Sequence, residues 1–232
     1  VALLLFDIDG TLLRPFGIGR KAFLGALAEL PEAHGTPPDF PYDGLLDGEI
    51  ARATLRALGV PPTPERLSRL LEAYAARLEE EPFPPPEECR CAGLPAFLEA
   101  ARSRGHLLAL LTGNVRRGAE VKLRAAALDG YFRSGGELLG AFGEDGARRK
   151  DLVDVALDRC AAAGRLFSRE EAWVVGDSPR DVEAARAGGV HCAAVATGHT
   201  PASLLRRSEP DLCLGSLREG EALLQAIEGG GR

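Results

Sequence analysis

Asp7 and Asp9 stand two residues apart at the end of the apolar run Val1–Phe6, and Gly10 and Thr11 follow them. Residues i and i+2 at a strand end point to the same side, so the run delivers two carboxylates to one place. Such a pair forms a hard-oxygen site of the kind that suits Mg²⁺. Gly10 permits a tight turn and the close approach of an anion, and Thr11 adds a hydroxyl and a backbone N–H. Asp9-Gly10-Thr11 is also a common turn sequence. That plainer reading must account for two acids placed side by side after a buried strand, which repel each other unless a cation or a proton compensates.

Three further segments bring related groups. Thr112, Gly113 and Asn114 follow the apolar run Leu107–Leu111, offering a hydroxyl and an amide. A helix starting there could aim N–H groups at an anion, although strand–turn–helix junctions often look like this. Arg148, Arg149, Lys150 and Asp151 open a helical stretch. Cations are disfavoured at a helix N-terminus, so the cluster reads either as a solvated corner or as a group facing an anion. Asp177 follows the run Ala172–Val175 as Asp7 follows the first run, and Asp181 comes one helical turn later. At i+4, Asp181 can face the same site. Acids in a first helical turn also stabilise the helix dipole, which accounts for Asp181 better than for Asp177.

The elements that must position these residues are legible as patterns. Val1–Phe6, Leu107–Leu111, Ala172–Val175 and Val190–Ala196 are apolar without alternation, as in parallel strands covered on both faces. Leu212–Leu214 suggests a short fifth strand. Strands alternating with helical patterns predict an α/β fold with a doubly wound parallel sheet, whose sites form outside the carboxyl ends of the strands. Ser178 and Pro179 start a helix that Gly188-Gly189 ends. Lys150–Ala163 carries Leu152, Val153, Ala156, Leu157 and Cys160 on one face, and the stretch after Asn114 carries Val121, Leu123 and Leu128. From Phe16 to Glu88 no strand is evident. Prolines cluster at 37–41, 61–64 and 82–86, and helical patterns cover Asp47–Leu58 and a stretch from Thr63-Pro64 with Leu67, Leu70, Leu71, Tyr74 and Leu78. This region reads as a small all-helical subdomain inserted after the first strand.

The 232 residues are 45% hydrophobic and 27% charged, the balance of a globular chain with a sizeable core. A formal net charge of -6 argues against nucleic acid as a partner, while leaving room for a locally positive pocket. The five cysteines are odd in number in a chain of this size, against a secreted disulfide framework. Cys160, Cys192 and Cys213 read as buried small hydrophobes. Cys89 and Cys91 read as structural, because no further ligands stand near them. The apolar N-terminal run is cut by the acid pair after six residues, without a basic flank or cleavage site. The expectation is a cytoplasmic protein with no membrane partner.

Taken in order, the four segments resemble the signature of the haloacid dehalogenase-like (HAD) hydrolase superfamily. That signature is D-x-D-G-T, a hydrophobic strand ending in Ser or Thr, a Lys or Arg, and G-D-x-x-x-D. The resemblance covers residues 1–15 and 89–232 as a HAD-like Rossmannoid core, and 16–88 resembles the family's C1-type helical cap. It implies that Asp7 attacks phosphorus to form an aspartyl-phosphate and that Asp9 acts as acid and base. It also implies that Asp7, the Asp9 backbone carbonyl, Asp177 and Asp181 hold Mg²⁺. Phosphoryl oxygens would meet Thr112 together with Gly10, Thr11, Gly113 and Asn114. A cation, Lys150 in preference to Arg149 on spacing, would bridge Asp7 and the phosphate. The carboxylate at Asp9 points to phosphatases and phosphomutases, because the dehalogenase and phosphonatase branches lack it. The implied activity is Mg²⁺-dependent hydrolysis of a small phosphorylated metabolite, of the phosphoglycolate phosphatase-like kind. The alternatives are a sugar phosphomutase and a non-catalytic binding protein on this fold. The cap would set substrate choice, with Arg20, Lys21, Arg52, Arg116 and Arg117 as either solvated charges or contacts to an anionic leaving group.

Overall fold

A computed structural model describes residues 1–14, 16–37, 39, 42 and 44–229. Pro38 and Pro41 of the first proline cluster lie outside the described residues. Strand β1 (Leu3–Phe6) is wholly buried, as its unbroken apolar sequence requires. It pairs in parallel with β2 (Leu107–Leu111) on one side and with β6 (Ala172–Gly176) on the other, Leu5 lying between Ala109 and Val174. Beyond β2 lies β5 (Gly140–Ala141), and beyond β6 lie β7 (His191–Val195) and β8 (Leu212–Leu214). The order β5-β2-β1-β6-β7-β8 makes β1 the place where the winding reverses. Open α/β sheets form their crevice at this point. The two-residue β5 is too short to leave a pattern in the sequence. It is fed by a hairpin of β3 (Arg133–Ser134) and β4 (Glu137–Leu138).

Alternate residues of each strand feed different layers. Leu4, Phe6, Leu110 and Val175 pack beneath α5 (Ala96–Ser103), α6 (Arg116–Ala125) and α10 (Gly220–Gly229). Leu3, Leu5, Leu111 and Val174 pack against α7 (Leu152–Ala162), α8 (Pro179–Gly188) and α9 (Ala202–Arg207). Helix α8 begins and ends where expected: Ser178 caps it, Pro179 is its first residue and Gly189 closes it in the left-handed region. Helix α7 starts later than its apolar face suggests, because Arg149–Asp151 forms a 3-10 turn before it. Asp151 Oδ2 accepts the Arg148 N–H at 2.9 Å and holds that turn.

Helices α1 (Ile18–Ala28), α2 (Asp47–Ala57) and α3 (Pro64–Glu80) form the inserted cap around their own apolar cluster, with Phe23, Leu27, Leu55, Leu70, Tyr74 and Leu78 at its centre. Thr63 caps α3 and Pro64 opens it. The Phe23 and Tyr74 rings meet edge to face at 6.1 Å, tying α1 to α3. The chain leaves the core and returns to it side by side: Arg14 N–H donates to the Cys89 carbonyl at the end of α4 (Pro86–Cys89), and Cys91 N–H donates to Leu12. The two bodies interlock. Leu46, at the edge of the cap, is fully buried in the core cluster, and Val115 of the core belongs to the cap cluster. Burying a leucine in this way contributes about 1.5–3 kcal/mol. All five cysteines are free thiols, and Cys89, Cys91, Cys160 and Cys192 are buried. Among the described residues no helix is long and apolar enough to cross a membrane.

Candidate active site

The carboxyl ends of β1, β2 and β6 open into a cavity of about 700 Å³ between core and cap. Asp7, Asp9, Arg149 and Asp177 line it from the core, and Ile18, Phe23, Ile50 and Tyr74 from the cap. Asp7 continues β1, its N–H donating to the Val175 carbonyl at 2.9 Å, so the sheet itself fixes this carboxylate. Asp177 follows β6 in the same way. Asp181 reaches the site from the first turn of α8 and does two things at once. Its Oδ2 accepts the Ser178 N–H at 3.0 Å and the Ser178 hydroxyl at 2.7 Å, completing a capping box, while its Oδ1 faces the site.

Arg149 fills the space between these acids. Its Nη2 lies 2.9 Å from Asp7 Oδ1, 2.6 Å from Asp181 Oδ1 and 3.2 Å from the Leu111 carbonyl. Lys150, favoured by spacing, is exposed instead. The 3-10 turn before α7 tips residue 149 inward and residue 150 outward, so the solvated-corner reading of the basic cluster holds for the exposed Arg148 and Lys150 and fails for Arg149.

Asp7, Asp177 and Asp181 are all buried, with ligand oxygens within 4.8 Å of one another. Three carboxylates against one guanidinium leave two negative charges when all are ionised. Burial raises the pKa of Asp7, and the Arg149 guanidinium offsets this only in part. Burial also raises Asp177, and the Asp7 and Asp181 charges add to that effect. Asp181 Oδ1 sits at ion-pair distance from Arg149 without a well-directed hydrogen bond. A hard divalent cation fits this set: it supplies the missing two charges to an all-oxygen site and occupies the open lone pairs. The main chain is shaped for the same purpose. Gly10 has φ +80°, and a Cβ there would run into the Asp177 carboxylate.

The Asp9 carboxylate turns away from this cluster of three acids. Its Oδ2 accepts from Asn114 Nδ2 at 2.8 Å and from Lys122 Nζ at 2.6 Å. Burial works against its charge, but the Lys122 ion pair and the hydrogen bonds from Lys122 and Asn114 outweigh it and lower its pKa. Lys122 Nζ also donates to Asn114 Oδ1 at 2.6 Å. This lysine, in the middle of α6, is the site residue that sequence reasoning missed. The available signal was a charge at a helical position shared with Gly118, Ala119 and Leu123, all of them buried. Thr112 Oγ1 accepts from Asn114 Nδ2 at 2.8 Å and from Asn114 N–H at 3.3 Å, which leaves the hydroxyl proton to donate elsewhere.

Gly10 and Thr11 differ from expectation. Their N–H groups are used inside the turn, Gly10 to the Leu13 carbonyl and Thr11 to the Ile8 carbonyl, and the Thr11 hydroxyl donates to Asp177 Oδ1 at 3.3 Å. Both residues build the site rather than offer donors to a ligand. Gly113 serves close packing: a Cβ there would strike the Leu45 carbonyl of the cap. The cap is bound at this same loop, where Asp47 N–H donates to the Gly113 carbonyl at 2.8 Å and Asp47 Oδ2 accepts the Val115 N–H at 2.9 Å. Of the surface cations considered from sequence, Arg20, Lys21 and Arg117 pair with Asp39, Glu81 and Glu79, and Arg116 lies over the Phe142 ring.

Known proteins share this arrangement of sequence and fold. The phosphoserine phosphatase of Thermus thermophilus is 37% identical over 157 residues, which cover 67% of this chain and 57% of that protein. The phosphoglycolate phosphatase of Caulobacter vibrioides is 30% identical over 211 residues, covering 86% of this chain and 81% of its own. Among solved structures, a hydrolase from Pseudomonas syringae superposes with a TM-score of 0.67 over 92% of this chain and 93% of that one; at 20% identity this is a likeness of fold. The sequence model of the haloacid dehalogenase-like hydrolases matches residues 4–186, from β1 to the last turns of α8. With that match spanning the four carboxylates, Arg149 and the interposed cap, the chain belongs to the haloacid dehalogenase-like hydrolases.

Proposed function

We propose that this hydrolase is a Mg²⁺-dependent phosphatase acting on a small phosphorylated metabolite, with residues 16–88 as the cap that closes over it. The observation that carries the reading is the division of labour between two acids of one turn. Asp7 lies in a carboxylate cluster short of positive charge, and Asp9 is held apart from it on Lys122 and Asn114. Asp7, Asp177 and Asp181, with the Asp9 carbonyl, would hold Mg²⁺. When bound, the ion screens the phosphate from the carboxylates and stabilises charge on the transferring group.

Arg149 holds Asp7 Oδ1, which leaves Oδ2 to attack phosphorus. Asp9, ionised beside Lys122, first takes the proton that the substrate brings as a phosphate monoanion. As the new O–P bond forms, the bond to the leaving oxygen breaks, and Asp9 passes this proton to that oxygen. Asp9 then removes a proton from a water that attacks the aspartyl-phosphate. Inorganic phosphate leaves with that proton, and both acids return to their starting states. Thr112 donates its hydroxyl proton to a phosphoryl oxygen, and Arg149 balances charge beside it. The cap excludes bulk water from the cavity while this proceeds.

The test is phosphate release from phosphoglycolate, phosphoserine and an aryl phosphate, with Mg²⁺ and with EDTA. Turnover is expected only with the metal, and Asp7→Asn should lower it by at least roughly 10³-fold, as for loss of a nucleophile. Absence of Mg²⁺-dependent release from every ester would overturn the reading. Transfer to a sugar hydroxyl faster than to water would turn it into a mutase.

A further inference from the structure

Of the chain's three lysines, Lys21 and Lys150 are exposed and Lys122 alone is buried. Its ammonium has three N–H donors. One goes to Asp9 Oδ2 and one to Asn114 Oδ1, both at 2.6 Å. Two of the three donors are thus spent on groups of the site itself. Asn114 Nδ2 joins Lys122 on the same oxygen of Asp9, at 2.8 Å. Both clamps therefore fall on Oδ2. Oδ1 makes no hydrogen bond among the described residues, and the Asp9 side chain keeps 45% of its surface exposed, beside the cavity it lines.

We propose that Lys122 is a positioning residue for the phosphatase reaction: with Asn114 it pins Asp9 through Oδ2 so that Oδ1 alone faces the leaving-group oxygen. The proton that Asp9 delivers to the leaving oxygen is then carried on Oδ1, where the O–H bond breaks as the new one forms. In the second half-reaction Oδ1 collects a proton from the attacking water. The inference rests on the phosphatase reading, and the experiment separates the two.

The first turnover is measured with an alkyl phosphate, whose leaving oxygen needs a proton, and with 2,4-dinitrophenyl phosphate, whose leaving group departs without one. The burst of phenolate reports the first half-reaction alone. In Lys122→Met the first turnover of the alkyl ester is expected to fall roughly 10²-fold or more, within the usual worth of general acid catalysis, while the dinitrophenyl burst stays within about threefold of wild type. The alkyl loss should lie in kcat, with KM little changed, and Lys122→Arg should restore part of it. Equal losses on both esters, a change confined to KM, or no change would overturn the proposal. If Lys122→Met does not fold, as judged by near-UV circular dichroism, Asn114→Ala decides: without an ester-selective loss in Asn114→Ala the clamp is refuted. A wild-type protein inactive on both esters with Mg²⁺ refutes the phosphatase reading and this proposal with it. An active wild type with unselective variants refutes this proposal alone.

Discussion

Arg149 and Lys150 are neighbours in the chain and opposites in the fold. Arg149 is buried between Asp7 and Asp181, whereas Lys150 points to solvent. Removing one partner of a buried ion pair leaves an uncompensated charge, which costs about 3–5 kcal/mol. Arg149→Met should therefore lower stability by an amount of that order and abolish most phosphate release. Lys150→Met should stay within about 0.5 kcal/mol of wild type, as surface substitutions do, and keep its activity. Urea unfolding and initial rates on the two variants check this. At this scale the acids were legible, because a carboxylate after a buried strand is conspicuous. The choice between two adjacent cations was not, because it turns on one 3-10 turn set by Asp151 and Arg148. Lys122 was hidden by its neighbours: an isolated lysine among Val121, Leu123 and Arg124 looks like a solvated side chain until the buried face of α6 is known.

At the scale of elements, strand β2 and helix α2 meet at a point with no room to spare. Leu45 passes so close to Gly113 that a methyl group there would meet its carbonyl oxygen. Gly113→Ala should push the start of α2 away and weaken the two bonds between Asp47 and the loop after β2. The expected result is at least a tenfold fall in kcat/KM, with faster amide exchange at Asp47 and Val115. Unchanged exchange and kinetics would contradict the close approach. Most of these elements could be read in advance. Unbroken apolar runs marked β1, β2, β6, β7 and β8, and Pro64, Pro179 and Gly189 marked helix ends. Helix α1 went unread despite the spacing of Ala22, Phe23, Ala26 and Leu27, because the prolines and glycines around it suggested loop. Contacts such as that of Leu45 on Gly113 join residues far apart in the chain, and no local pattern records them.

For the whole molecule, the join between cap and core should leave a mark on stability as pH changes. Burial pushes the Asp47 carboxyl up to about 6, with Lys122 and the Val115 N–H pulling it back only in part. The unfolded chain releases this proton near the ordinary value of 3.8. As pH rises from 3.8 to about 6 the unfolded state ionises first, so this group withdraws stability across that window. In Asp47→Asn that decline is absent. The melting temperature of the variant minus that of wild type should grow more positive between pH 4 and about 6, and then level off. Thermal scans at four or five pH values measure it, and a flat difference would contradict the burial of this group.

The neck of the cap has a consequence of another kind. The outgoing and returning segments are hydrogen-bonded to one another, Arg14 to Cys89 and Cys91 to Leu12. The ends of everything between them are thus held together by the core, whatever that stretch contains. Closing a loop costs little more as it lengthens, only about 0.6 kcal/mol for each doubling. A longer, shorter or entirely different insert can be grafted onto the same two stems, provided it fills the place of Leu46 and covers the opening. The chemistry and the choice of what undergoes it are then separable inheritances, exchanged through a doorway two segments wide.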